Sequence, residues 1–256
     1  MAGRGRKRAK AAFFSFTSCE GCQLMVLSCE RELPELVDMV DIVDFREAKS
    51  SRSDDYDIAF VEGSITRARE AERLEEIRRN AEVVVALGAC SSTGGLNLLK
   101  NRFSMDEVRR MVYGDKAHLF DTMEARPIED FIDVDVRLHG CPISKKEFLG
   151  AVKDLLLGKV PAQTGHPVCA ECKKAGNVCV FELGRSCMGP VTRAGCDAVC
   201  VSYGTWCWGC RGPVDDANGS AHMETLARHG LTVEEALRLF DLYGRPESRD
   251  VKDGER

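Results

Sequence analysis

Thirteen cysteines stand in a chain of 256 residues, and five of them, Cys19, Cys22, Cys29, Cys90 and Cys141, are scattered through ordinary hydrophobic sequence. The other eight, Cys169 to Cys210, crowd into 42 residues. So many thiols exceed what inert packing uses. The stretch TSCEGCQ, Thr17 to Gln23, holds the first of three C-x-x-C pairs, followed by Cys169 with Cys172 and Cys207 with Cys210. A tight turn carries both sulfurs of such a pair to the same side, where they meet adjacent corners of one tetrahedral ion or of one cube of iron and sulfide. Gly21, inside the first pair, permits close backbone approach and leaves amides free to point at sulfur. Disulfides are the competing use, but the number of cysteines is odd and no export signal is read, so metal ligation is expected.

To gather four thiols, distant loops must meet, and the pattern from Ala11 to about Gly158 provides for it. Phe13 to Phe16 reads as a strand, Cys22 to Val40 as a helix with apolar Leu24, Val26 and Leu27, and Val40 to Phe45 as a strand. Asp57 to Val61 reads as the next strand. A charged helix follows, in which Ala71, Leu74 and Ile77 recur every third residue to form one apolar stripe. Ala81 to Leu87 is Val-rich, as expected of a strand buried on both faces. A Gly-rich loop, a helix around Met105 to Val112, the strand Val134 to Leu138 and a helix from Lys145 to Leu157 complete a βαβ alternation. The expected class is α/β: a flavodoxin-like parallel sheet domain over residues 11–160, then a small, irregular cysteine-rich domain over residues 161–256.

In an open parallel sheet, ligands bind beyond the carboxyl ends of the strands. Cys19 and Cys22 follow the first strand, Cys90 follows VVVALGA and Cys141 follows VDVRLHG, so three loops deliver four thiols to one edge. Glu62, after IAFV, ends a neighbouring strand and is a candidate for orienting the cysteine loop. Cys29 reads as a buried, small apolar side chain. By proximity the later eight divide into Cys169, Cys172, Cys179 and Cys187, then Cys196, Cys200, Cys207 and Cys210; an interleaved division is equally compatible with the spacing. Beyond Pro161 little periodicity survives, and this stretch is expected to depend on bound metal instead of an apolar core of its own. Val214 to Arg256 carries one weak helix, Thr232 to Leu242, and a charged tail.

With 44% hydrophobic and 30% charged residues the composition is that of a globular protein, and a net charge of -5 argues against nucleic-acid binding, which needs clustered Lys and Arg. The basic cluster is confined to Met1 to Lys10, read as a flexible tail, and no 18 apolar residues run together as a membrane span needs. Three zinc sites would serve structure without an evident client. Three thiolate-bound iron–sulfur clusters would carry electrons, so iron is favoured over zinc.

The ordered motifs TSCEGCQ, VEGSI, ALGACSSTGG, LHGCPIS, GHPVCAEC, ELGRSCMGPVTRAGC and CWGCRGP resemble the small subunit of nickel–iron hydrogenases, specifically the short cytoplasmic type of methanogen, sulfhydrogenase and cofactor-reducing complexes. The likeness covers about Phe13 to Pro213. It implies a proximal 4Fe-4S cluster on Cys19, Cys22, Cys90 and Cys141, a medial one on Cys196, Cys200, Cys207 and Cys210, and a distal one on Cys169, Cys172, Cys179 and Cys187. Exported members carry a twin-arginine signal, a His among the distal ligands and a three-iron medial cluster. Here no such signal is read, Cys169 stands in place of that His, and Cys200 adds a fourth medial thiolate. Thr17 and Ser18 stand where exported members place a Glu, so Glu20 reads as a solvated turn acid as readily as a proton relay; His166 reads as structural.

The implied function is an electron-transfer subunit without catalytic residues of its own, in the cytoplasm of an anaerobe. It would relay electrons through three 4Fe-4S clusters between the nickel–iron site of a large subunit and a flavin or iron–sulfur acceptor subunit. The alternatives are a multi-zinc structural adaptor and a complex I-type iron–sulfur subunit, which shares the flavodoxin-like half but lacks the eight-cysteine extension. No G-x-G-x-x-G occurs, which leaves the terminal acceptor to partner chains.

Overall fold

Short Val- and Phe-rich runs with apolar residues on both sides require helices above and below a sheet. The computed structural model, which describes residues 8–32 and 40–243, supplies them in the first of two units, Met1–Ala162 and Gln163–Arg256. Five parallel strands, β1 (Ala9–Ser15), β2 (Val40–Phe45), β3 (Ile58–Glu62), β4 (Val83–Leu87) and β5 (Val136–Leu138), lie in the order β2-β1-β3-β4-β5. This is the flavodoxin-like order, with its switch point between β1 and β3. The register pairs Ser15 with Glu62, Glu62 with Leu87 and Leu87 with Leu138, so four strands end level at one edge.

Alternation along each strand divides the core. Phe13, Phe45, Phe60 and Leu87 face α1 (Gly21–Leu27) and α5 (Lys145–Leu156), which pack through Val26, Phe148 and Val152. Phe13 stacks between Phe45 and Phe60 at centroid distances of 4.3 and 4.7 Å. Ala59, Val61, Val84 and Ala86 face Leu74 and Ile77 of α2 (Ala68–Asn80) on the other side. The two-residue period then turns Glu62 to the side of Ile58 and Phe60, toward α1.

Two local differences from the sequence reading have physical causes. The helix expected from Cys22 toward Val40 closes at Leu27, where the Ser28 hydroxyl bonds back to the Met25 carbonyl oxygen at 2.7 Å. The part of that expectation over 33–39, like the basic start over 1–7 and the tail over 244–256, lies outside the described residues. Cys90 sits in a helix, α3 (Gly88–Thr93), and not in a loop. Ser91 and Ser92 are buried and Thr93 half-buried because their hydroxyls donate to the carbonyls of Leu87, Gly88 and Ala89 at 2.7, 2.9 and 3.0 Å, a pattern without apolar periodicity. α4 (Met105–Tyr113) forms where expected, opened by a capping box of Ser104 and Glu107.

The second unit contains α6 (Val168–Lys174), α7 (Val199–Ser202), α8 (Gly219–Arg228) and α9 (Val233–Asp241). Contrary to the expectation from sequence, it builds an apolar cluster of its own, in which Val168, Val180, Met188 and Val191 meet Leu226 of α8 and Phe240 of α9. The sequence reading missed α8. Among the described residues no helix is long and apolar enough to cross a membrane.

Candidate metal centres

In the first unit, backbone conformation opens room for sulfur. Just past β1 and β3, Thr17 and Ser64 form an antiparallel bridge, and the Asn97 amide nitrogen donates to the Thr17 carbonyl and the Ser64 hydroxyl, both at 2.8 Å. The chain enters α1 through Glu20, in the left-handed region at φ 63°. Cys19 is exposed before the helix and Cys22 is buried in its first turn. A Cβ on Gly21 would lie 3.2 Å from the Cys19 sulfur. At Gly88, φ +80°, a Cβ would lie 2.3 Å from the Cys22 sulfur, so glycine is required there by conformation and by space. The Ala89 N–H donates to the Gly140 carbonyl at 2.7 Å and ties the Cys90 turn to the Cys141 loop. The Ile143 N–H points at the Cys22 sulfur.

Glu62, 1% exposed, joins the end of β3 to this loop: its two carboxylate oxygens accept from the Cys22 and Gln23 N–H groups, each at 3.0 Å. First-turn amides have no partner within their own helix, so the acid supplies what the helix cannot. Glu20 is tied locally to Ser15, Ser18 and the Gln23 side chain. Burial, then the charges of Cys141, Cys19 and Glu62, pushes the Cys90 thiol up to about 12. Burial, then Glu62, also raises Cys22, to which Cys90 adds. Cys90 therefore stands within electrostatic reach of Cys19, Cys22 and Cys141.

Thiols raised by burial and mutual repulsion are what a bound cation neutralises, since coordination reverses the local balance of charge. Among the described residues, no three His, Cys, Asp or Glu side chains converge as ligands of a single ion. The four-thiolate donor set, the amides aimed at sulfur and the glycine recesses fit an iron–sulfur cluster.

In the second unit, α6 carries Cys169 and Cys172 three residues apart. Cys169 is pushed up to about 11, by burial first and then by Cys187, Cys172 and Cys179, and a Cβ on Gly189 would lie 3.4 Å from both the Cys169 and the Cys187 sulfur. The Cys187 sulfur accepts from the Gly189 and Cys207 N–H groups, both at 3.4 Å. His222 of α8 hydrogen-bonds the Cys187 backbone. Of the remaining four, Cys207 is raised by burial despite the Gly209 N–H, and it neighbours both Cys187 and Cys210. Asp197 and Ala198 take left-handed conformations, at φ 53° and 51°, which turn the Ala198 and Val199 N–H groups toward the Cys196 sulfur. Cys200 follows on α7. Cys29 is fully buried, and the exposed His166 accepts the Ala194 N–H through its backbone carbonyl.

A family model described as NADH ubiquinone oxidoreductase, 20 Kd subunit, matches residues 19–155. Sulfhydrogenase 2 subunit delta of Pyrococcus furiosus is 35% identical over 239 residues, which cover 92% of this chain and 99% of that one. The chain belongs to this family, as a hydrogenase subunit. The resemblance read from the motifs is thus borne out. An F420-non-reducing hydrogenase chain (vhu) of Methanocaldococcus jannaschii is 28% identical over 93% of this hydrogenase subunit and 96% of its own length. Among solved structures, an NAD+-reducing [NiFe]-hydrogenase chain matches with TM-score 0.56 and 27% identity, over 61% of this chain and 95% of that one. A [NiFeSe]-hydrogenase chain of Dm. baculatum matches in fold over 84% of this subunit and 98% of its own length, at TM-score 0.58 and 17% identity.

Proposed function

We propose that this hydrogenase subunit relays electrons through three 4Fe-4S clusters between the nickel–iron site of a large subunit and a flavin or iron–sulfur acceptor subunit, in the cytoplasm. The proposed ligands are Cys19, Cys22, Cys90 and Cys141 for the proximal cluster, Cys196, Cys200, Cys207 and Cys210 for the medial, and Cys169, Cys172, Cys179 and Cys187 for the distal. Bound clusters would supply one-electron redox chemistry. The protein's own part is to hold sulfur in place, exclude water and aim N–H groups at thiolate, which tunes potential. The Ile143 N–H does so at Cys22, and the Gly189 and Cys207 N–H groups at Cys187. No residue of this chain is assigned a catalytic role in hydrogen chemistry.

The observation that supports this reading is that β1, β4 and β5, which lead into Cys19 with Cys22, Cys90 and Cys141, end level at one sheet edge, with Glu62 fixing the turn that carries Cys22. The zinc-adaptor alternative leaves three four-thiolate sets in one chain without a client. The complex I-type alternative leaves the eight-cysteine extension without a purpose. Anaerobic copurification from the native source tests the reading. A nickel–iron large subunit and a redox partner should accompany the chain, and a chain that purifies alone with bound zinc contradicts it.

A further inference from the structure

One peptide group in the second unit is gripped at both ends by charge. It is the Ala194–Gly195 peptide, which leads into Cys196. Its carbonyl oxygen accepts from Arg211 Nε at 2.8 Å and from the Thr164 hydroxyl at 2.7 Å. Its N–H donates to Glu171 Oε1, also at 2.8 Å. Because O and H point in opposite directions across a trans peptide, the guanidinium and the carboxylate approach it from opposite edges. Gly195 has φ +119°, a conformation reserved for glycine, so the orientation of this peptide is no backbone default.

The grip is stronger than holding a loop requires. Arg211 is 3% exposed, and the second carboxylate oxygen of Glu171 is buried without a hydrogen-bond partner. Leaving a charged oxygen in that state destabilises the fold, and a neutral acceptor would hold the Gly195 N–H without that penalty. The position of the charges suggests their use. Glu171 lies between Cys169 and Cys172 on α6, yet its bond reaches 24 residues on to the loop of Cys196. Arg211 directly follows Cys210. Through the Gly195 N–H and the Ala194 carbonyl, the two opposite charges are fixed one peptide group away from Cys196.

We infer that Glu171 and Arg211 are an opposed pair of positioning residues that hold the Cys196 loop against α6 and set the reduction potential of the site containing Cys196. Reduction adds an electron, so a fixed carboxylate nearby disfavours it and a guanidinium favours it. The inference rests on the cluster reading proposed above. The test is an anaerobic potentiometric titration of the intact complex, followed by electron paramagnetic resonance, for wild type, Glu171→Gln and Arg211→Gln. The glutamine at 171 still offers an oxygen to the Gly195 N–H but carries no charge.

With Glu171→Gln, iron content should equal that of wild type while one cluster signal is reduced more readily. Its reduced-to-oxidised ratio at fixed poise should rise about tenfold, the scale on which one adjacent charge shifts a titration, equivalent to about 59 mV for one electron. Arg211→Gln should move the same signal in the opposite direction. Unmoved potentials at full iron content, or shifts of the same sign, overturn the inference. Should Glu171→Gln lose iron, Arg211→Gln decides alone: a fall supports the pair, and no fall refutes it. A wild-type complex whose chain gives no iron–sulfur signal refutes the cluster reading itself, whereas unmoved signals in the variants refute only the charge pair.

Discussion

The first unit places four thiols at the edge of a sheet; the second places eight on short helices and turns. In the first, the stacked Phe13, Phe45 and Phe60 and the opposite layer of Leu74 and Ile77 bury apolar surface inside the edge where Cys19, Cys90 and Cys141 emerge, and of the four thiols Cys22 joins that core. In the second, Cys187 and Cys207 are members of the core, packed with Met188, Val191 and Phe240. The sheet core takes in one proposed ligand, Cys22, and is otherwise aromatic and aliphatic, whereas the second core takes in Cys187 and Cys207 with Cys172 and Cys196 packed against them, so ligation and stability are joined more closely there. Where binding and folding share side chains, the free energy of one is part of the free energy of the other.

The largest effect that could break this comparison comes from stripping metal. Anaerobic chelation should expose the chain beyond Gln163 to protease while a fragment ending near Ala162 survives; equal digestion of both halves would show that the sheet also depends on its cluster. Next comes Phe13→Ala, which removes the centre of the aromatic stack and should cost about 3–5 kcal/mol in urea unfolding of the first unit. Gly88→Ala forces a left-handed alanine whose Cβ would lie 2.3 Å from the Cys22 sulfur. It should cost about 1–3 kcal/mol and abolish the proximal site's iron, while far-ultraviolet circular dichroism stays that of wild type. The smallest effect is expected from Thr232→Ala, which deletes the capping box of α9 and should lower the second unit's stability by about 1 kcal/mol in thermal melts.

What the sequence disclosed follows the same division. β2 was legible over Val40 to Phe45 and α9 within a residue at each end, because strand composition in the one and the helical spacing of Val233, Ala236, Leu237 and Phe240 in the other mark them directly. α3 was not, because its stability comes from hydroxyls folded back on carbonyls and leaves no apolar stripe. The second core was missed because Val168, Met188 and Val191 are single residues separated by turns, gathered only once α8 lies over them. Glu62 was legible as an acid near the cysteine loop, but the amides it holds were not, since a bond to backbone puts no constraint on partner side chains. The grip of Glu171 and Arg211 on one peptide group was hidden for the same reason.

The central claim, that twelve of the thirteen cysteines hold three 4Fe-4S clusters, is tested most directly by metal and sulfide analysis of this chain purified anaerobically. The account predicts a brown protein with broad absorbance near ~400 nm and about 12 irons with about 12 acid-labile sulfides per chain. A colourless chain with about three zincs and no sulfide would contradict it.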